Sequence, residues 1–228
     1  MNTIGKEFIE KTKYKYLDIS DQTKGYEPPP LEAGYHKSVA IIALPDPRTF
    51  KELKIGIREA VEKRTSIREY SKRPLNTDEL SYLLWCTQGV KEIIPGVGTL
   101  RTVPSAGARH PLETYLLVNN IYQMRSGLYR FLALEHKLVQ VEAISDVSNR
   151  MKKAFLDQEM VTDSAVMFIW VATIYRTTWR YSERGYRYIF LDAGHACPSS
   201  MRKCNTWRNG LMAGTLGGYE KKIQAHQT

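Results

Sequence analysis

The run Arg64-Thr65-Ser66-Ile67-Arg68 has residue types and a spacing that could do chemistry. β-Branched Thr65 and Ile67 favour extended backbone, in which successive side chains alternate between faces. Arg64, Ser66 and Arg68 then share one face, and Ile67 turns into the core. Two guanidinium forks with a hydroxyl between them match a phosphate monoester. A surface turn is the plainer reading of such a triplet on its own. A second candidate is Pro104-Ser105-Ala106-Gly107-Ala108-Arg109-His110-Pro111. Small residues between prolines make a stiff loop whose amides can approach a flat aromatic ligand; its alternative is an ordinary turn. The third is Arg180-Tyr181, followed by Arg184-Gly185-Tyr186-Arg187-Tyr188 and Asp192-Ala193-Gly194-His195. A tyrosine beginning a helix can donate a proton or hold a substrate, although a buried structural role is the commoner fate. Tyr175, Trp179 and Tyr181 offer aromatic walls.

The elements that must position these groups are legible as patterns. Residues 1–50 lack sustained periodicity and carry Pro28-Pro29-Pro30 and Pro45-Asp46-Pro47, which reads as an extended arm. Glu52 to Lys63 suits a first helix. Asn76, with Glu79 three places on, marks a helix start, Leu80, Leu83 and Leu84 give it an apolar stripe, and Gly89 is its stop. Ile93 to Gly107, rich in Gly and Pro, reads as a long loop. Thr114–Val118, Gly127–Leu132 and Lys137–Val141 read as strands, the last two as a hairpin. Val147–Phe155 reads as a helix, Ala165–Ile174 as a buried strand, and Tyr186–Ala196 as a helix. This order suggests an α+β layered domain.

Composition narrows the class. The chain has 228 residues, enough to bury a core without disulfides or metal. Three cysteines, Cys86, Cys197 and Cys204, form no disulfide framework. Met1 to Asp18 is charged and unlike a signal peptide, and Ala165–Tyr175 is too short to span a bilayer. The protein is therefore expected in the cytoplasm, with no membrane. A formal charge of +9 attracts anions, but acids are interspersed and no groove-reading motif occurs, so no nucleic-acid partner is expected. Asp192 and His195, a helical turn apart, could share a metal with Cys197 and Cys204. No HExxH or paired CxxC supports that, and no metal is expected.

Taken together the motifs resemble the nitroreductase family, with the SagB-type dehydrogenases as the nearest branch. The resemblance runs from Ile41 to Cys197. It includes Arg64-Thr65-Ser66-Ile67-Arg68-Glu69-Tyr70, Leu80-Ser81-Tyr82-Leu83-Leu84-Trp85, Arg101 through Glu113, Gly127-Leu128-Tyr129, and Asp192-Ala193-Gly194-His195. It implies an α+β three-layer sandwich with a central, mostly antiparallel sheet flanked by helices. It also implies a homodimer whose interface builds both flavin sites. On that resemblance Arg64, Ser66 and Arg68, with Thr65 beside them, hold the FMN phosphate and ribityl chain. Pro104, Ser105, Ala106 and Gly107 lie by the isoalloxazine, and Tyr181 and Arg180 are the catalytic candidates. The implied activity is either NAD(P)H-driven reduction of small aromatic or quinone-like acceptors, or oxidation of azolines in modified peptides. A non-catalytic or truncated subunit of a peptide-modifying complex is the alternative.

Two departures stand out. Azoline oxidases commonly carry Lys-Tyr where this chain has Arg180-Tyr181, and arginine stays protonated where lysine can be tuned to a base. Pro198 is a candidate helix end. The expected division is therefore an arm over 1–50, a flavin-binding domain over 51–197 and an atypical tail over 198–228. Loss of the family's last strand and its basic contact there would weaken FMN binding.

Overall fold

A computed structural model describes residues 3–36, 39–51, 56–62, 65, 69–142, 146–204 and 211–215; the side chains of residues 57, 60, 142, 197–204 and 211–215 are outside that description. Alternating apolar side chains build the centre. β4 (Leu112–Val118) pairs antiparallel with β7 (Val166–Ala172) over seven residues, from Leu112↔Ala172 to Val118↔Val166. Leu112, Leu116, Val118, Phe168 and Trp170 face one side, and Tyr115, Leu117, Met167 and Ile169 the other. A strand pair apolar on both faces needs cover on both.

That cover is helical. On the first face lie Leu80, Leu83 and Leu84 of α3 (Thr77–Gln88), with Ile189 and Ala196 of α7 (Gly185–Cys204). On the second lie Val147 of α4 (Val147–Ala154) and Val161 of α5 (Met160–Asp163). The result is the expected α+β layered sandwich. Its sheet, among the described residues, runs β1-β6-β5-β4-β7-β8, with β1 at Ile41–Ala43, β5 at Gly127–Leu132, β6 at Lys137–Glu142 and β8 at Leu211–Thr215. Among the described strands of this sheet only the β7–β8 pair is parallel.

The start of α3 matches its sequence signal. Asn76 Oδ1 accepts from the Glu79 amide and Glu79 Oε2 from the Asn76 amide, both at 2.8 Å. Such a reciprocal cap stabilises a helix by about 1 kcal/mol. Gly89 closes the helix with its amide on the Trp85 carbonyl at 2.8 Å.

Two expectations are corrected, and a third is met in part. Ile93–Gly107 is not one long loop: β2 (Val90–Ile94) and β3 (Gly98–Arg101) form an antiparallel hairpin across a turn at Gly96, φ +71°. Pro95 and Gly96 are the turn, Gly98 opens β3, and only the stretch after Arg101 is loop. The expected helix over Glu52–Lys63 is α2 (Ile57–Glu62), with 52–55 and 63 outside the described residues. Finally, α7 continues across Pro198, expected as a helix end, to Cys204, and β8 follows. A proline ring crowds the carbonyl four residues back.

The arm is a wrapping segment with structure of its own. α1 (Ile4–Lys11) lies on α7, where Phe8 meets Phe190 edge to face at 6.4 Å between ring centroids. Arg187 donates to the Ile9 carbonyl and the Thr12 hydroxyl, and Arg184 to the Thr12 carbonyl at 3.2 Å. Cations at a helix C-terminus meet its unpaired carbonyls and the negative end of its dipole. Farther along, the Trp179 indole donates to the Tyr26 carbonyl at 3.0 Å, and Arg176 Nε to the Pro30 carbonyl at 2.8 Å.

Candidate functional site

The Pro104–Pro111 segment is shaped by a buried carboxylate. Asp192, on the inner side of α7 between Ile189 and Ala196, is 6% exposed. Its oxygens accept from the Ser105 hydroxyl at 2.6 Å and the Ala106 amide at 3.1 Å. Ser105 Oγ in turn accepts from the His110 amide at 2.8 Å. Burial raises the Asp192 pKa, against the two donors that lower it. Within this frame Gly107, Ala108 and His110 hold positive φ values of 60°, 55° and 44°. Left-handed backbone at a non-glycine residue costs on the order of 1 kcal/mol, so the brace must hold the turn against strain.

The short helix α6 (Tyr175–Tyr181) brings the third motif to this loop. A Cβ built on Gly107 would lie 2.5 Å from the Tyr181 hydroxyl and 2.9 Å from Arg180 Nε. Two motifs more than seventy positions apart in the sequence thus meet at one glycine. Tyr181 is held from behind by Tyr188, edge to face at 4.7 Å. Tyr188 takes a 2.9 Å hydrogen bond from Arg184 Nε and shares another of 2.9 Å with Tyr14 of the arm. Arg180 is exposed, and Arg109, next to the loop, is buried over the Trp179 ring at 5.2 Å.

Of the phosphate-binding candidates, Arg64, Ser66 and Arg68 lie outside the described residues, and Thr65 is exposed. Pro104, Ser105, Ala106 and Gly107 are brought together with Arg180 and Tyr181. Sequence reasoning missed Asp192 as the brace, having weighed it as a metal ligand. The signal was available: an acid three residues after Ile189 and four before Ala196 faces inward and must find donors. Among the described residues no group of three or more His, Cys, Asp or Glu is fit to hold a metal. No described helix is long and apolar enough to cross a membrane.

His110 lies under the loop, its Nε2 donating to the Thr99 carbonyl at 3.0 Å. Burial, aided by the Arg101 charge, pushes its pKa down to about 3, and burial also lowers that of His136. Both imidazoles are neutral in the fold, whereas the unfolded chain takes up protons below about pH 6.5. Stability attributable to His110 is therefore present above pH 6.5 and falls by ~1.4 kcal/mol per pH unit down to its folded pKa. Asp192 and Glu32, both raised by burial, act in the opposite sense nearer the carboxylate range. Urea unfolding between pH 7 and 5 should show the histidine loss, and His110→Gln should flatten it. An unchanged slope in that variant would exclude His110 as the cause.

The nitroreductase family model matches residues 61–218, well over half of the chain. The chain belongs to the nitroreductase family. MJ1384 of Methanocaldococcus jannaschii, which carries the nitroreductase name, is 34% identical over 154 residues, covering 68% of this chain and 73% of that protein. The trifolitoxin-processing protein TfxB of Rhizobium leguminosarum bv. trifolii is 31% identical over 120 residues, covering 51% of this chain and 32% of TfxB. A structure from Anabaena variabilis designated a nitroreductase superposes with a TM-score of 0.65 at 25% identity. The match covers 88% of this chain and 38% of that one, so this nitroreductase spans well under half of that longer relative. The E. coli microcin synthetase McbBCD complex, with truncated pro-MccB17 bound, shares the fold at a TM-score of 0.50 and 18% identity, over 88% of this chain and 72% of that one. Membership of the nitroreductase family points to oxidoreductase chemistry.

Proposed function

We propose that the chain is an FMN-dependent oxidoreductase working as a homodimer in the cytoplasm. Gly107 carries the reading: its left-handed backbone leaves a face without a side chain, between Ala106 and Ala108 and opposite Tyr181 and Arg180. Tyr181 and Arg180 close directly onto this glycine, where any Cβ would collide with them, so the loop and the two catalytic candidates form one corner for a flat ring to lie against. Arg64, Ser66 and Arg68, with Thr65, would hold the phosphate, and Pro104, Ser105, Ala106 and Gly107 would line the ring. FMN supplies a two-electron carrier that takes and gives hydride at N5. The protein's part is placement. Asp192 fixes the loop, Tyr188 backs Tyr181, and the Tyr181 hydroxyl stands where it can hold a substrate or pass a proton. Arg180 stays protonated and so binds charge instead of moving a proton.

For the dimer, α7 and α1 expose Phe190 (70%), Leu191 (58%) and Ile9 (52%) beside their Phe8–Phe190 contact. Large apolar side chains grouped on two touching helices suit a second copy. Two substrate classes remain: a small aromatic or quinone-like acceptor reduced at the expense of NAD(P)H, or an azoline in a modified peptide. The likeness to TfxB, named for processing trifolitoxin, favours the peptide.

Sedimentation at micromolar protein, followed in both the protein and the visible flavin bands, tests cofactor and assembly together. The expected result is one boundary at twice 26.2 kDa that absorbs in both bands. A flavin-bearing monomer would refute the dimer. A colourless protein that takes up no added FMN would leave the non-catalytic subunit.

A further inference from the structure

The corner beside Gly107 holds more positive charge than its own acids balance. Arg109 is 6% exposed, and its Nε is buried with no hydrogen-bond partner among the described residues. One Nη donates to the Val97 carbonyl, and the guanidinium lies over the Trp179 ring. The charged neighbour that acts on it is Arg180, which opposes its charge. Arg180 stacks over Tyr181 at 5.6 Å and points its side chain at the same glycine. Nearby acids are engaged elsewhere: Asp192 with Ser105 and Ala106, and Glu113 with Arg176 and Ala33. Neither Arg109 nor Arg180 forms an ion pair among the described residues. Two guanidinium groups held close, one out of water, repel each other unless an anion joins them.

We propose that this corner receives an anionic oxygen group of the substrate, a carboxylate, on the exposed Arg180 guanidinium, with the Arg109 charge behind it and the Tyr181 hydroxyl beside it. Arginine is suited to this because its fork meets both carboxylate oxygens and its charge does not titrate near neutrality. The Tyr181 ring beside Arg180 adds an aromatic contact that favours a flat, acid-bearing molecule. The inference deepens the oxidoreductase reading by naming the substrate class; it rests on that reading for catalysis, not for the anion itself. The FMN phosphate is the competing source of the same chemistry, and we assign that group to Arg64, Ser66 and Arg68.

Benzoate and benzamide, flat rings differing in charge, are titrated into the full chain with and without added FMN. Binding is read by tryptophan fluorescence, with Trp179→Phe as the reporter control. Benzoate should bind roughly tenfold more tightly than benzamide. Arg180→Gln should erase that preference, Arg180→Lys should keep part of it, and neither should change FMN affinity. Equal binding of the two probes, or a preference that survives in Arg180→Gln, overturns the proposal. So does a fall in FMN affinity in Arg180→Gln, which would give the arginine to the cofactor phosphate. A chain that refuses FMN yet prefers benzoate would sink the oxidoreductase reading and leave the anion site standing.

Discussion

A Gly107→Val variant should fold, should melt several degrees below the parent, and should lose roughly a hundredfold in flavin-dependent turnover, because a reacting group displaced by about 1 Å costs that much. The backbone at Gly107 has φ +60° and ψ 24°, a region that costs an L residue about 1–2 kcal/mol and a β-branched one more. In a domain of this size that lowers Tm by roughly 2–4 °C per kcal/mol. The larger effect is local. The new Cβ would stand 2.5 Å from the Tyr181 hydroxyl and 2.8 Å from Arg180 Cδ. Both are the outer parts of side chains, so they move aside and the fold survives. They are also the two groups placed to meet substrate. FMN titration, turnover and a thermal melt on one preparation separate the effects. A valine variant with the parent's flavin affinity and turnover would remove this corner from the site.

Glu113→Ala should be the most damaging single change to stability, costing about 3–5 kcal/mol. Glu113 is 6% exposed and accepts from Arg176 Nη2 at 2.5 Å and the Ala33 amide at 2.9 Å, with Arg130 Nη1 at 3.8 Å. Arg176 and Arg130 are 3% and 2% exposed. Burying a guanidinium is tolerable only with its countercharge, and the variant would take from two of them the carboxylate they share. Arg130 Nη1 already lacks a hydrogen bond among the described residues. The expected fall in Tm is about 10 °C, read by calorimetry. The arm should also become cleavable near Ala33, which limited proteolysis would show. A melt within 2 °C of the parent would mean that water reaches these arginines and the pair contributes little.

The sheet was legible because its signal is local. β4 to β7 alternate or run apolar over six or seven residues, and the Asn76 capping box needs only four residues to declare itself. The β2–β3 hairpin was not, since Pro95 and Gly96 look the same in a turn as in a loop. α1 is a short helix whose order comes from Arg184 and Arg187, far along the chain. β8 follows a proline-bearing helix end and lies along β7, a pairing that no local pattern announces. At the site, residue types were read directly from the sequence: the small residues at Ala106–Ala108, and Arg180 with Tyr181. Their meeting depends on where α6 lies, and periodicity says nothing of that. Arg109 went unread as a charge in the site because its neighbour Arg180 is contributed by another element.

The arm's bonds reach far along the sequence. Ala33 is 80 positions from Glu113, Gly34 is 96 from Arg130, Pro30 is 146 from Arg176, and Ile9 is 178 from Arg187. A ribosome makes each arm residue long before its partner. Until α6 is complete, Glu113 and Arg130 wait without Arg176, whereas the amides of Ala133 and Leu134 are already made for Glu32. The arm therefore locks late, after β4 to β7 have been made. Loops of that length are slow to close, so the nascent protein passes through a stage with those four strands in place and the arm's last contacts unmade. In that interval its charged interior is open to water, and holding chaperones have their longest access.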